Sequence, residues 1–216
     1  MRRDLVTSVI AIVALTIVFG IVYPLVTTGV SQVIFHGKAN GSQVHVNGRL
    51  VGSKLIGQDF RVQAVGKNGK ALTDKDGNPV MVPLKRYFQE RPSTYTSYNG
   101  AGSAFTNLGP NSKDARDTFQ SNLQSYLQLE KPFVPGLTAR DVPIDAVTSS
   151  ASGVDPQISQ ANAAIQAHRI AAVRRIPLAT VQKLIKSNTA GRFLGVLGEP
   201  GVNVLELNIA LDKLAR

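Results

Sequence analysis

The sequence predicts an α+β protein: a single N-terminal transmembrane helix followed by one extracytoplasmic α+β domain, with short strands first and helices later. Three observations carry this. No formal charge occurs from Leu5 to Phe35. Short alternating apolar runs separated by turn residues fill the stretch 43–89. After position 111, apolar residues recur at helical spacing.

The most apolar part of the uncharged run is Val6 to Val26. As an α-helix it would be about 31 Å long, which matches the hydrocarbon core of a bilayer. Only Thr7, Ser8, Thr16 and Tyr23 interrupt it with polarity, and hydroxyls can bond within the helix or reach the interface. The expected anchor is 1–36, with the span over about 5–28. Arg2 and Arg3 precede it closely, whereas Lys38 and Arg49 follow farther off. The positive-inside rule then places the N-terminus in the cytoplasm and the rest outside. A cleaved signal peptide is the competing reading. The run is too long for one, and Val-Thr-Thr-Gly-Val is a poor cleavage site. Thr16 and Gly20 form a small-xxx-small pair, a pattern common by chance.

The exported domain spans 37–216. It holds 22 basic and 13 acidic residues, a net of +9. Val44 and Val46 alternate with polar residues, Asn47-Gly48 is a hairpin signal, and Leu50–Ile56 follows. Further short runs lie at Phe60–Val65 and Val80–Leu84, with two tight turns expected between them. The Pro- and Gly-rich stretch 90–110 reads as loop. Asn111 or Ser112 caps a helix reaching about Leu129, with Ala115, Phe119, Leu123 and Tyr126 as its apolar stripe. Val142–Thr148 is a candidate buried strand. Ser159 caps a second helix whose apolar face is read as Ile165, Ala172, Val173 and Ile176. A third helix runs from Leu178 to Ser187, and a last one carries Val204, Leu207, Leu211 and Leu214.

The chemistry-bearing motifs are absent. Zero Cys removes disulfides, thiolate metal sites and Cys nucleophiles. No phosphate-binding loop, dinucleotide fingerprint or nucleophile elbow occurs. His36, His45 and His168 lie far apart, without ligand spacing. Asp74, Asp76 and Asn78 imitate a calcium loop, but Pro79 and Lys85 stand where glycine and glutamate are required. No acidic residue lies between Asp155 and Glu199, while Arg169, Arg174, Arg175, Lys183, Lys186 and Arg192 do. That is either a solvated basic face near anionic lipid or a patch for a polyanion such as nucleotide phosphate. An exported domain favours the first and disfavours nucleic acid. These residues read as a membrane anchor plus a basic domain without a catalytic site of its own, and so as a subunit of something larger.

Several segments resemble one family, the C chain of the bacterial potassium-transporting P-type ATPase, KdpC. Val-Tyr-Pro-Leu-Val-Thr-Thr-Gly at 22–29 and Ala-Asn-Gly-Ser at 39–42 are the first. Gly-Ser-Lys-Leu-Ile-Gly-Gln-Asp-Phe at 52–60, Tyr87-Phe88, Arg91-Pro92-Ser93 and Asn107-Leu108-Gly109-Pro110 follow. Thr-Ser-Ser-Ala-Ser-Gly-Val-Asp-Pro at 148–156 is similar to the family's most characteristic loop. Gln166, Arg169 and Arg174 fit its next helix, and Leu197-Gly198-Glu199-Pro200 with Val202–Asn208 fits its C-terminal signature. Three departures stand out. Residues 62–86 look like an insertion, Ala104-Phe105 replace two small residues, and Gly201 replaces a frequent Arg.

The resemblance implies a non-catalytic accessory subunit of the high-affinity, ATP-driven potassium uptake complex in the bacterial inner membrane. Its partners would be a channel-like potassium-binding subunit, a P-type ATPase subunit and a small membrane subunit, with membrane lipid around the anchor. The family role is assembly and activity, including that of a catalytic chaperone raising the ATP affinity of the P-type subunit. No cofactor of its own is implied, only ATP shared with that subunit, and the deduced topology separates the domain from cytoplasmic ATP. Gln166 and Arg169 are the candidates for nucleotide contact; covering the helix surface is their bland alternative. Gln58, Arg91, Asn107, Asp155, Glu199 and Asn203 are the candidates for the partner interface, mainly on the loops 90–110 and 148–160. Turn geometry alone would also explain those loops. The reading outside the family is a stand-alone, membrane-tethered extracytoplasmic binding module.

Overall fold

The computed structural model describes residues 1–93, 102–103 and 107–214. The expected loop over 90–110, with Ala104-Phe105, lies largely outside the described residues. The chain divides into two compact units, Met1–Ser53 and Lys54–Arg216.

In the first unit, α1 (Arg2–Ile17), a π-helical stretch (Val18–Val22) and α2 (Tyr23–Ile34) form one continuous apolar helix of 33 residues, long enough to cross a membrane. It extends beyond the expected span of 5–28 at both ends. The widened stretch sits just before Pro24, which has no N–H and whose ring crowds the carbonyl four residues back. The Tyr23 N–H accordingly bonds the Val18 carbonyl, five residues back. One further turn, α3 (His36–Ala39), leads into a hairpin of β1 (Gln43–Val46) and β2 (Arg49–Ser53). Asn47 and Gly48 take positive φ of 51° and 77°, as a two-residue turn with the strands' own twist requires. The hairpin that the sequence places with the exported domain thus falls in the same unit as the apolar helix.

In the second unit, β3 (Arg61–Gln63) pairs antiparallel with β4 (Met81–Pro83), Val62 facing Val82. Between them lie the two expected turns, at Gly66–Lys70 and Asp74–Asn78. Three backbone bonds close them into a ring: Ala64 N–H to Val80 O, Val80 N–H to Leu72 O, and Leu72 N–H to Ala64 O. Helix α4 (Lys113–Glu130) is capped by the Ser112 hydroxyl, which accepts from the Ala115 N–H. Of its expected stripe, Ala115 is buried but Phe119 is exposed.

Val142–Thr148 is not a strand. It holds a 3-10 turn at Ile144–Ala146 directly after Pro143, and a second such turn, Ala139–Asp141, precedes it. Pro143 offers no donor to a ladder, and the Asp145 carboxylate instead accepts from the Ser159 N–H and hydroxyl. Next come β5 (Gln157–Ser159), α5 (Gln160–Arg174), α6 (Leu178–Ser187), β6 (Thr189–Ala190), β7 (Gly201–Asn203) and α7 (Val204–Leu214). The three strands form an antiparallel sheet in the order β5-β7-β6. This late sheet was not expected, because strands of two or three residues are too short to show a period.

The core gathers Phe88, Ile158, Ile170, Val181, Val202, Leu207 and Leu211. Helix α5 does not present the expected face: Ala172 and Val173 are exposed, and Ile165 and Ile176 only half-buried. Its buried side is Asn162, Ala163, Gln166, Ala167, Arg169 and Ile170.

Candidate functional site

Two polar clusters organise the second unit. The first lies inside it. Segment 85–89 has no strand partner, so its backbone groups need side chains. Asn208 of α7 supplies both halves for Phe88: Oδ1 accepts from the Phe88 N–H at 2.9 Å, and Nδ2 donates to the Phe88 carbonyl at 3.0 Å. Gln166 of α5 does the same for Gln89, at 2.7 and 3.0 Å. Arg169, one helical step on, donates through Nη1 to the carbonyls of Lys85 and Tyr87. Its Nη2 reaches Gln166 Oε1 at 3.0 Å, and its Nε reaches Glu130 Oε1 at 2.9 Å.

Arg169 and Glu130 are both 0% exposed. Burial pushes the Glu130 carboxyl above its ordinary range, against the pull of Arg169. Burial, with Glu130 adding to it, also drives the Tyr126 phenol well up. That phenol donates to Asn162 Oδ1 at 2.9 Å. Beside this cluster, Arg174 stacks on the Tyr87 ring at 4.9 Å and donates to Asp212 at 2.8 Å. Asp212 also accepts from the Tyr87 hydroxyl. Desolvation first, then Asp212, raises the Tyr87 pKa.

Gln166 and Arg169 therefore do not cover a helix surface; both lie in the core with their polar groups engaged. Nor is the acid-free stretch one solvated face. Arg169 and Arg174 turn inward, while Arg175, Lys183, Lys186 and Arg192 remain exposed.

The second cluster lies at the loop 148–156. Arg91 spans it like a fork. Nη1 meets Asp155 Oδ2 at 3.2 Å, Nη2 meets the Ser149 carbonyl at 3.1 Å, and Nε and Nη2 reach Thr148 at 3.4 Å. The Ser93 hydroxyl donates to the Gly153 carbonyl, Ser103 to that of Ser152, and the Gly57 N–H to that of Val154. Within the loop, Ser150 and Ser152 accept from the Gly153 and Val154 N–H groups. Asp155 Oδ1 accepts from the Gln157 N–H and so leads the chain into β5. Three other segments, at 57, 91–93 and 103, thus converge on one loop. Arg91 and Asp155 are each about a quarter exposed, and within 148–156 Ala151 is exposed while the other residues are half-buried or buried.

Of the other expected interface residues, Gln58 borders this cluster, lining a cavity with Arg91, and the rest scatter. Gln58 is half-buried, and its N–H donates to Glu90 Oε1 at 3.0 Å. Asn107 is exposed. Glu199 is exposed and grips Arg192 with both oxygens, at 2.9 and 3.0 Å. Asn203 is buried: Oδ1 caps α7 by accepting from the Glu206 N–H, and Nδ2 donates to the Lys54 carbonyl. The structure joins Arg91 with Asp155 and Gln166 with Arg169. It does not bring all eight candidates to one place. Sequence reasoning missed Glu130, Asn162 and Asn208, whose only signal was polarity on an otherwise apolar helical stripe, and Gln89, which lies in the irregular segment 85–89 and carried no signal. Among the described residues no group of His, Asp and Glu is arranged to hold a metal ion.

Residues 5–213 match the family described as KdpC: K+-transporting ATPase, c chain. A potassium-transporting ATPase KdpC subunit of Streptomyces coelicolor is 44% identical over 214 residues, covering 94% of this chain and 89% of that one. Those of Koribacter versatilis and Bradyrhizobium diazoefficiens are each 38% identical, covering 98% and 100% of this chain and 95% and 99% of theirs. With the match running from the apolar helix to the last turn of α7, the chain belongs to the KdpC family, the c chains of the potassium-transporting ATPase.

Proposed function

We propose that this chain is an accessory subunit that assembles and stabilises the potassium pump without a catalytic site of its own. In this reading the apolar helix anchors it with the N-terminus in the cytoplasm, and the body lies outside. Its partners are a channel-like potassium-binding subunit, a P-type ATPase subunit and a small membrane subunit. The observation that supports the reading is the Arg91 fork. Loops held on a scaffold suit recognition, and the 148–156 loop is held by three other segments while Ala151 in its middle is exposed.

Any effect on ATP affinity is then exerted through contact with the P-type subunit. Gln166 and Arg169 brace segment 85–89, and nucleotide does not touch them. The test has two arms. Asn107→Ala and Asp155→Ala should leave the chain folded but lower the yield of complex on a tagged chain; normal yield from both would sink the interface. Saturable ATP binding by the isolated full chain would overturn the indirect role.

A further inference from the structure

Between β6 and β7 the chain makes a tight hairpin that presents large apolar side chains outward. Phe193, Leu194, Val196 and Leu197 are 70%, 78%, 73% and 59% exposed. An isolated exposed leucine needs no explanation, but four large apolar residues in five positions do. The tip is also fixed in shape. Phe193 and Leu197 exchange backbone bonds of 2.8 and 3.0 Å, and the Gly195 N–H bonds the Arg192 carbonyl. Leu194 takes a φ of 53°, left-handed backbone that a leucine disfavours. Such strain persists where the surroundings enforce it, and it marks sites where a defined shape is used.

We propose that residues 193–197 are a docking tip that enters an uncharged, apolar pocket on another subunit of the pump. The inference rests on the assembly reading and adds a contact separate from the 148–156 loop. Charge points to a protein pocket over an anionic lipid surface. From Ser187 to Leu205 the only charges are Arg192 and Glu199, and these cancel each other at the base of the tip through two hydrogen bonds. A lipid-seeking tip gains from unpaired cations beside its apolar side chains; within 187–205 the one cation is neutralised, and the next ones back, Lys183 and Lys186, stand on α6. A bilayer imposes no shape, so it would gain nothing from a strained leucine. A pocket gains from an anchor held ready in its bound form.

The test places the photo-crosslinker benzoylphenylalanine at position 194 of the full, tagged chain, and at Asn68, an exposed polar turn residue, for comparison. After illumination of the purified complex, an adduct with another subunit at 194 and none at 68 is expected. Adducts with lipid alone, with a second copy of this chain, or with nothing in a complex that still co-purifies would overturn the tip. Failure of the unsubstituted chain to co-purify with any subunit, seen before illumination, would instead sink the assembly reading and the tip with it. A second variant guards against a crosslinker that blocks assembly. Leu194→Gly removes both side chain and strain, so the melting temperature should not fall while most of the co-purified complex is lost. Unchanged complex yield in that variant would also refute the proposal.

Discussion

The guanidinium of Arg169 meets the carboxylate of Glu130 at 2.9 Å across 39 residues of sequence, and neither side chain reaches solvent. Removing one member of such a pair leaves the other charged and dry, which costs about 3–5 kcal/mol. Arg169→Met should lower stability by that order in urea denaturation of the full chain, and adding Glu130→Met should restore much of it. A double variant as unstable as the single one would mean that Arg169 acts mainly through the carbonyls of 85–87.

The same pair sets a pH dependence. The folded Glu130 carboxyl titrates above its ordinary 4.5, because burial favours its neutral form. Its contribution to stability is therefore complete below 4.5 and is lost as pH rises through the folded value. Without Arg169 the upward shift grows. The deficit of Arg169→Met should thus shrink as pH is lowered from neutral toward 4.5, and a constant deficit would refute the assignment.

Arg91 is expected to resist replacement by lysine. A single ammonium cannot span Thr148, Ser149 and Asp155 at once. Arg91→Ala should cost about 2 kcal/mol, and both variants should speed amide exchange at Gly153, Val154 and Gln157. Unchanged exchange in Arg91→Lys would show that charge alone holds the loop.

Gly201 offers a test of packing in the central strand. A Cβ there would lie 2.7 Å from Gln157 Oε1 and 3.3 Å from Gln157 Cβ on the neighbouring strand. Because the Gln157 amide can swing aside, Gly201→Ala should destabilise by only about 1 kcal/mol, and Gln157→Ala should relieve most of that loss in the double variant. Additive losses would place the strain elsewhere.

Tyr87 predicts an alkaline effect. Its phenol is held neutral by desolvation and by Asp212, so its contribution is full below 10.0 and declines as pH climbs beyond. Tyr87→Phe should lose about 1 kcal/mol at neutral pH and show a shallower decline at alkaline pH. Parallel pH profiles would count against the Asp212 contact.

What could be read from the sequence was local. Asn47-Gly48, Ser112 and Ser159 each act on neighbours within three residues, so their turn and caps were visible before any tertiary structure. The apolar helix was visible because lipid demands an unbroken run. The α5 face was misread because its buried stripe carries Asn162, Gln166 and Arg169, which look like surface until Glu130 and segment 85–89 are placed against them. Val142–Thr148 looked like a strand because β-branched residues fit one, but Pro143 and Asp145 divert the chain into turns. The Arg91 fork joins residues 57 to 64 positions apart, beyond the reach of any periodicity.

The ring of bonds joining Ala64, Leu72 and Val80 has a consequence for how this region could vary. The Ala64–Val80 bond continues the β3–β4 ladder, so the excursion 65–79 leaves and rejoins the body at one point that is already paired. Its length is uncoupled from the pairing beneath it. The segment behaves as a cassette: it can be shortened, lengthened or replaced by a foreign epitope while β3 and β4 keep their register.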